Sequence, residues 1–143
     1  GAGLYSWSRR IFAQGMARGP DRAKLTGMKQ LRSHLIGIDQ GDVVLFSDFE
    51  DGGQMWTGTG ARERRMPVWF SRKFLAPPSV SVAVSLWDVD TDSAVRMELA
   101  AEDITDTRFE IVFRTWLDTR IARLRVAWTA IGELESEDDW DIA

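Results

Sequence analysis

From residue 41 onward, apolar residues recur at every second position in short runs, and Gly, Pro, Asp and Ser break the runs apart. Residues 79–87 give the clearest case. Val80, Val82, Val84 and Leu86 fall on one side, and Ser81, Ala83, Ser85 and Trp87 fall on the other. A period of two is the signature of a strand with one buried face. Val95, Met97 and Leu99 likewise alternate with Arg96 and Glu98. Phe109, Ile111 and Phe113 alternate with Glu110, Val112 and Arg114, and Leu124, Val126, Trp128 and Ala130 alternate with Arg123, Arg125, Ala127 and Thr129. Two shorter strands precede these, at 43–46 and at 64–70, where Met66 and Val68 oppose Arg65 and Trp69. Residues 47–60 read as a long loop with Met55 and Trp56 pinned inside it. Pro77-Pro78 ends a connection, since proline cannot donate to a ladder. Six strands without intervening helices predict an all-β fold, a six-stranded antiparallel β-sandwich. Burial of a row such as Val80, Val82, Val84 and Leu86 stabilises by at most roughly 1.5–3 kcal/mol per residue.

Residues 1–40 lack this alternation and read as a weakly helical or extended basic leader. One short helix is expected over 5–16, with Trp7, Ile11 and Met16 on one side, and a second over 21–35, capped by Asp21. Gly15, Gly19 and Gly27 interrupt both. The sandwich is expected over 41–132 and an acidic tail over 133–143.

At 143 residues the chain suits one domain with a real core. Charge is unevenly placed. Arg9, Arg10, Arg18, Arg22, Lys24, Lys29 and Arg32 face only Asp21 within residues 1–36, whereas six acids lie between Glu133 and Asp141. A basic arm raises nucleic acid as a partner, but no aromatic-basic stripe accompanies it, so it reads as a solvated leader, with Met28 a candidate initiator. The absence of Cys excludes disulfides and Cys-ligated zinc and leans towards a cytoplasmic compartment, which is otherwise open. His34, the one histidine, excludes a multi-His metal site and has no assigned role. No apolar run nears the ~18 residues needed to cross a bilayer. No apolar stretch follows Arg9-Arg10, so no secretory signal is expected.

Several features invite chemistry and decline it. Asp88, Asp90 and Asp92 open like a calcium loop, but Ser93 stands where glycine is needed and Leu99 where a bidentate Glu is needed. A polar turn is expected there, with no metal. The pairs Glu50-Asp51 and Glu102-Asp103 sit in loops without an apolar pocket, so neither suits the paired carboxylates of glycoside hydrolysis. No catalytic residue and no cofactor is expected; the chain reads as a non-enzyme. Arg96 points off the apolar face and offers a fork of donors to hydroxyls, or an ion pair to Glu98 or Glu110. Trp116, at a strand end, offers a stacking surface or interface packing. Trp87 reads as interface or edge packing.

The stretch from Phe70 to Gly132 resembles the H-type lectin domain, the family of the snail agglutinins and the discoidin C-terminal domains. The resemblance rests on Phe70, Phe74, Pro77 and Pro78; then Leu86-Trp87-Asp88-Val89-Asp90 with Arg96 after it; then Thr105, Phe109 and Thr115-Trp116-Leu117-Asp118-Thr119; and finally Trp128-Thr129-Ala130-Ile131-Gly132. From 41 to 69 the match is loose.

The resemblance implies a carbohydrate-binding sandwich that assembles as a homotrimer, sometimes paired into a hexamer, and serves cell adhesion. Its pockets, for galactose or N-acetylgalactosamine glycans, lie at protomer junctions. It implies that Arg96 contacts the sugar, and that Trp116 and Leu117 line the pocket from the adjacent protomer. Many members carry His where Leu117 stands, so Leu117 offers only its backbone groups. The family's acid in the loop before the second strand is missing from Thr57-Gly58-Thr59-Gly60; Asp51 or Glu63 is the candidate substitute. The other reading is a trimeric structural or assembly module that has lost the sugar.

Overall fold

The structure, a computed structural model, describes residues 27–32 and 34–136. Six strands and two single-turn helices follow in the order β1 (Leu35–Phe46), α1 (Asp48–Asp51), α2 (Gln54–Thr57), β2 (Arg62–Trp69), β3 (Ser79–Val89), β4 (Met97–Glu102), β5 (Arg108–Thr115) and β6 (Ile121–Leu134). They form two antiparallel sheets, β1-β6-β3 and β2-β5-β4. The expected all-β sandwich of six strands is what the chain adopts.

The two central strands carry the core, as their alternation predicts. Phe109, Ile111 and Phe113 of β5 and Leu124, Val126, Trp128 and Ala130 of β6 are buried. Phe70 lies 5.7 Å from Phe109 and 5.0 Å from Phe74, and Phe109 lies 5.5 Å from Trp128, ring centre to ring centre. Such offset and edge contacts suit the aromatic quadrupole.

Three expectations need correction. First, β1 begins at Leu35, inside the stretch read as leader. Its inward positions include Gly37 and Gly41, where a Cβ would meet the side chains of Leu134 and Trp128 across the ladder. Glycine on the inward row and Ile36 and Ile38 on the outward row invert the usual pattern and hide the strand. The helix expected over 21–35 does not form in residues 27–32 or at His34, and the one over 5–16 lies outside the described residues. Second, β6 runs to Leu134, taking Glu133 and Leu134 out of the expected tail. Third, the period-two row of β3 is broken. A register shift between Val84 and Leu86 sets Trp87 opposite Leu124, and Val84 is 40% exposed.

The outward faces differ. On β2-β5-β4, Arg65 pairs with Glu63, Glu102 and Glu110, and Arg114 pairs with Glu63, Glu98 and Glu102. Val112 stands in the same cross-strand row as Arg65 and is fully buried. On β1-β6-β3, Ile36, Ile38, Val44 and Ile131 remain exposed.

Candidate functional site

At one end of the sandwich, the start of β4 meets the end of β5. Met97 pairs with Thr115, and Thr115 pairs with Arg62 on the other side. Arg96 and Trp116 are the next residues beyond this row. Two buried threonines join them. Thr119 Oγ1 accepts from the Arg96 N–H (3.1 Å) and donates to the Trp116 carbonyl (2.9 Å). Thr115 Oγ1 donates to the Arg96 carbonyl. Arg96 thus has both backbone groups held by the Thr-Trp-x-x-Thr turn of its own subunit. Its guanidinium donates to its own Val95 carbonyl (3.1 Å) and makes no ion pair among the described residues. The expected alternatives, Glu98 and Glu110, are engaged by Arg114, and by Arg65 and Arg108.

Leu117 follows in a left-handed conformation, φ +61°. This costs a branched aliphatic residue about 1 kcal/mol or more. The turn turns the Leu117 carbonyl inward, where it accepts from the Gly60 N–H (2.7 Å) and from Arg62 Nη2 (3.2 Å). The backbone of Leu117, expected to face a ligand, is therefore half spent on the fold: the carbonyl is occupied, leaving its N–H.

Arg62 is the principal residue that sequence reasoning missed. Only 6% exposed, it donates through Nε to Gly60 (3.0 Å), through Nη1 to Gln54 (3.1 Å) and Met55 (3.3 Å), and through Nη2 to Leu117, always to backbone carbonyls. Burial pulls its pKa below the ordinary value, and the charge of Asp118 opposes that shift. The available signal was parity: residue 62 shares its row with Met66 and Val68, the inward side of β2.

The loop 47–60 is more ordered than a string of glycines suggests. Buried Asp48 accepts from the Met55 N–H (2.9 Å) and from Arg64 (3.0 Å). A Cβ at Gly53 would collide with the Asp48 carboxylate, so glycine is required there. Arg120 donates to the Trp56 carbonyl (3.0 Å) and lies 4.1 Å from the Trp56 ring centre, a cation–π contact. Loop and turn are therefore fastened at Gly60, Arg62 and Arg120.

Of the five residues expected to bind sugar, Arg96, Trp116 and Leu117 converge at this end. Arg96, Trp116 and Leu117 are all half-buried. Glu63 lies on the outward face of β2, two positions along from Ala61, and is held by Arg65 (2.7 Å) and Arg114 (3.5 Å). Asp51 ends α1, exposed, and no side-chain hydrogen bond or ion pair among the described residues joins it to the others. Neither acid is placed as a free carboxylate beside Arg96. Among the described residues no three His, Cys, Asp or Glu side chains are grouped to hold a metal, and no helix is long and apolar enough to cross a membrane.

Residues 65–131 match the family model described as the H-type lectin domain. A protein of Fuscovulum blasticum named "ATP synthase subunits region ORF 7" is 52% identical over 107 residues, covering 75% of this chain and 93% of that protein. The structure of recombinant discoidin II of Dictyostelium discoideum superposes with a TM-score of 0.61 at 24% identity, covering 76% of this chain and 41% of that one. The wild-type discoidin II structure from the same organism gives 0.59 at 26%, covering 75% and 40%. The chain spans about two fifths of the length of these discoidin II chains. Arg96, Trp116 and Leu117 lie within the matched span; Asp51, Arg62 and Glu63 precede it.

Proposed function

This chain belongs to the H-type lectin domain family, and on that premise we propose that it is a carbohydrate-binding protein and not an enzyme. The observation that supports the reading is that Thr119 holds the Arg96 N–H and the Trp116 carbonyl together at one end of the sandwich, an end at which the resemblance brings the Arg96 strand of one protomer against the Trp116 turn of the next. A pyranose has an apolar face of C–H groups that stacks on an indole, while its hydroxyls need fixed donors. The Arg96 guanidinium is a planar fork of donors with no ion pair among the described residues to surrender. The ligand class is galactose or N-acetylgalactosamine glycans, and the site is completed at a junction between protomers of a homotrimer or a pair of trimers. The carboxylate, Asp51 or Glu63, would then come across that junction from a neighbouring protomer. Several shallow sites on one assembly gain avidity where glycans are reached together, which suits adhesion.

A second reading keeps the trimeric sandwich as an assembly module without sugar. The occupied Leu117 carbonyl and the ion-paired Glu63 favour it. A glycan array with wild type and Arg96→Ala separates the two. Losing charged hydrogen bonds of about 1.5–3 kcal/mol weakens binding by roughly 10- to 100-fold on the lectin reading. Silence of the wild type across the array at high valency supports the module. Light scattering that finds a strict monomer contradicts the trimer in both.

A further inference from the structure

We infer that Arg62 is a positioning residue for the glycan site, locking the loop 54–60 to the Trp116-Leu117 turn so that the rim is assembled before ligand arrives; this rests on the carbohydrate-binding reading above. Arg62 reaches the rim only from behind, through the Leu117 carbonyl. Its guanidinium joins the loop just before it, through the carbonyls of Gln54 and Met55 at α2 and of Gly60 at the loop end, to the carbonyl of Leu117 in a turn far along the chain. The Gln54 and Leu117 carbonyls also accept from the Gly58 N–H (2.8 Å) and the Gly60 N–H (2.7 Å), so the guanidinium reinforces those bonds and adds its own to Met55 and Gly60, and buried acceptors are strongly selective for the geometry that meets them. Gly58 reports how closely the loop is drawn in. A Cβ there would come 2.7 Å from the Gln54 carbonyl and 3.3 Å from Arg62 Cδ. The Gly60 N–H donating to Leu117 (2.7 Å) closes the same circuit from the other side.

Arginine is required by shape as well as by charge. A lysine ammonium groups its three donors at one point and cannot reach carbonyls spread along a fork. Preorganisation of this kind lowers the cost of ordering the site on binding, so its loss weakens affinity without removing any ligand contact.

The test compares wild type, Arg62→Lys and Arg62→Met by hydrogen exchange at the Gly58 and Gly60 amides and by binding to a multivalent N-acetylgalactosamine conjugate, at a temperature where all are folded by circular dichroism. The expected result is faster exchange at both amides and about ten-fold or more weaker binding in both variants. Wild-type affinity retained in a folded Arg62→Lys protein overturns the positioning role. A wild type that binds neither this conjugate nor any array glycan removes the lectin reading, and the positioning role with it, even if the two amides still loosen. Should the Arg62 variants not fold, Gly60→Ala frees the same loop by forcing an L residue to φ +80°, and unchanged binding in it overturns the proposal.

Discussion

The two ends of the sandwich are held by different chemistry. At one end Phe70, Phe74, Phe109 and Trp128 interlock around the core with no polar partner required. At the other, Arg62, Thr115 and Thr119 are buried and spend their donors and acceptors on the backbone of three separate segments. Aromatic packing is large in energy and tolerant in direction. Hydrogen bonds add less net energy but fix position sharply. The aromatic end makes the chain fold, and the polar end makes Arg96 and Trp116 hold still.

That division can be broken from either side. Phe109→Ala, at the aromatic end, is expected to cost about 3–5 kcal/mol in denaturant unfolding, while the fraction still folded binds glycan with unchanged affinity. A loss below 1 kcal/mol would contradict the assignment of stability to that end. Thr119→Val keeps the shape but leaves the Arg96 N–H and Trp116 carbonyl without their bridge, for about 1–3 kcal/mol. Unlike Phe109→Ala, it is expected to weaken glycan binding as well. Equal affinity in the two variants would erase the distinction. Leu117→Gly relieves the left-handed strain of about 1–2 kcal/mol against a backbone entropy cost of about 0.5–1 kcal/mol. It should match or slightly exceed the wild type in thermal melting, and a clear loss would mean that the leucine side chain packs more than the turn strains.

The smallest effect belongs to the outward face between the two ends. Burial pushes the Glu102 carboxyl up, but the bonds and charges of Arg114 and Arg65 outweigh it, and its pKa lies below the ordinary value. A depressed carboxylate pKa stabilises the fold above the unfolded value and loses that contribution as pH falls through the folded one. Urea midpoints of wild type and Glu102→Gln should differ near neutral pH and converge as the pH falls below the ordinary carboxylate range. A constant gap across that range would assign the difference to something other than ionisation.

Much of the fold was legible because β5 and β6 alternate cleanly and each is the middle of its sheet, where burial on the inner face is complete. β1 was partly concealed, since its inward row uses Gly37 and Gly41 to admit Leu134 and Trp128, partners that only the ladder register supplies. The bulge after Val84 was illegible for the same reason: a register shift depends on the neighbouring strand. At the site, Arg96 and Trp116 could be read from a family pattern, and Thr115 and Thr119 stood within it. Their work of gripping Arg96 could not be read, because residues 96 and 119 meet only in three dimensions. Arg62 gave a parity signal, but a charged residue on an inward row acquires its meaning from carbonyls that a sequence does not show. For the missing acid, sequence offers Asp51 or Glu63 but could not show that Glu63 is ion-paired to Arg65 and Arg114 while Asp51 is exposed at the end of α1.

The central claim is that the rim formed by Arg96 and the Trp116 turn receives the sugar. Amide chemical shifts followed during titration with N-acetylgalactosamine test it most directly. The account predicts that the shifting amides cluster at Ala94, Arg96, Trp116, Leu117 and Gly60, with the aromatic end at Phe70 and Phe74 unmoved. Saturable shifts centred on the aromatic end, or none anywhere at millimolar sugar while a glycan array stays silent, would contradict it.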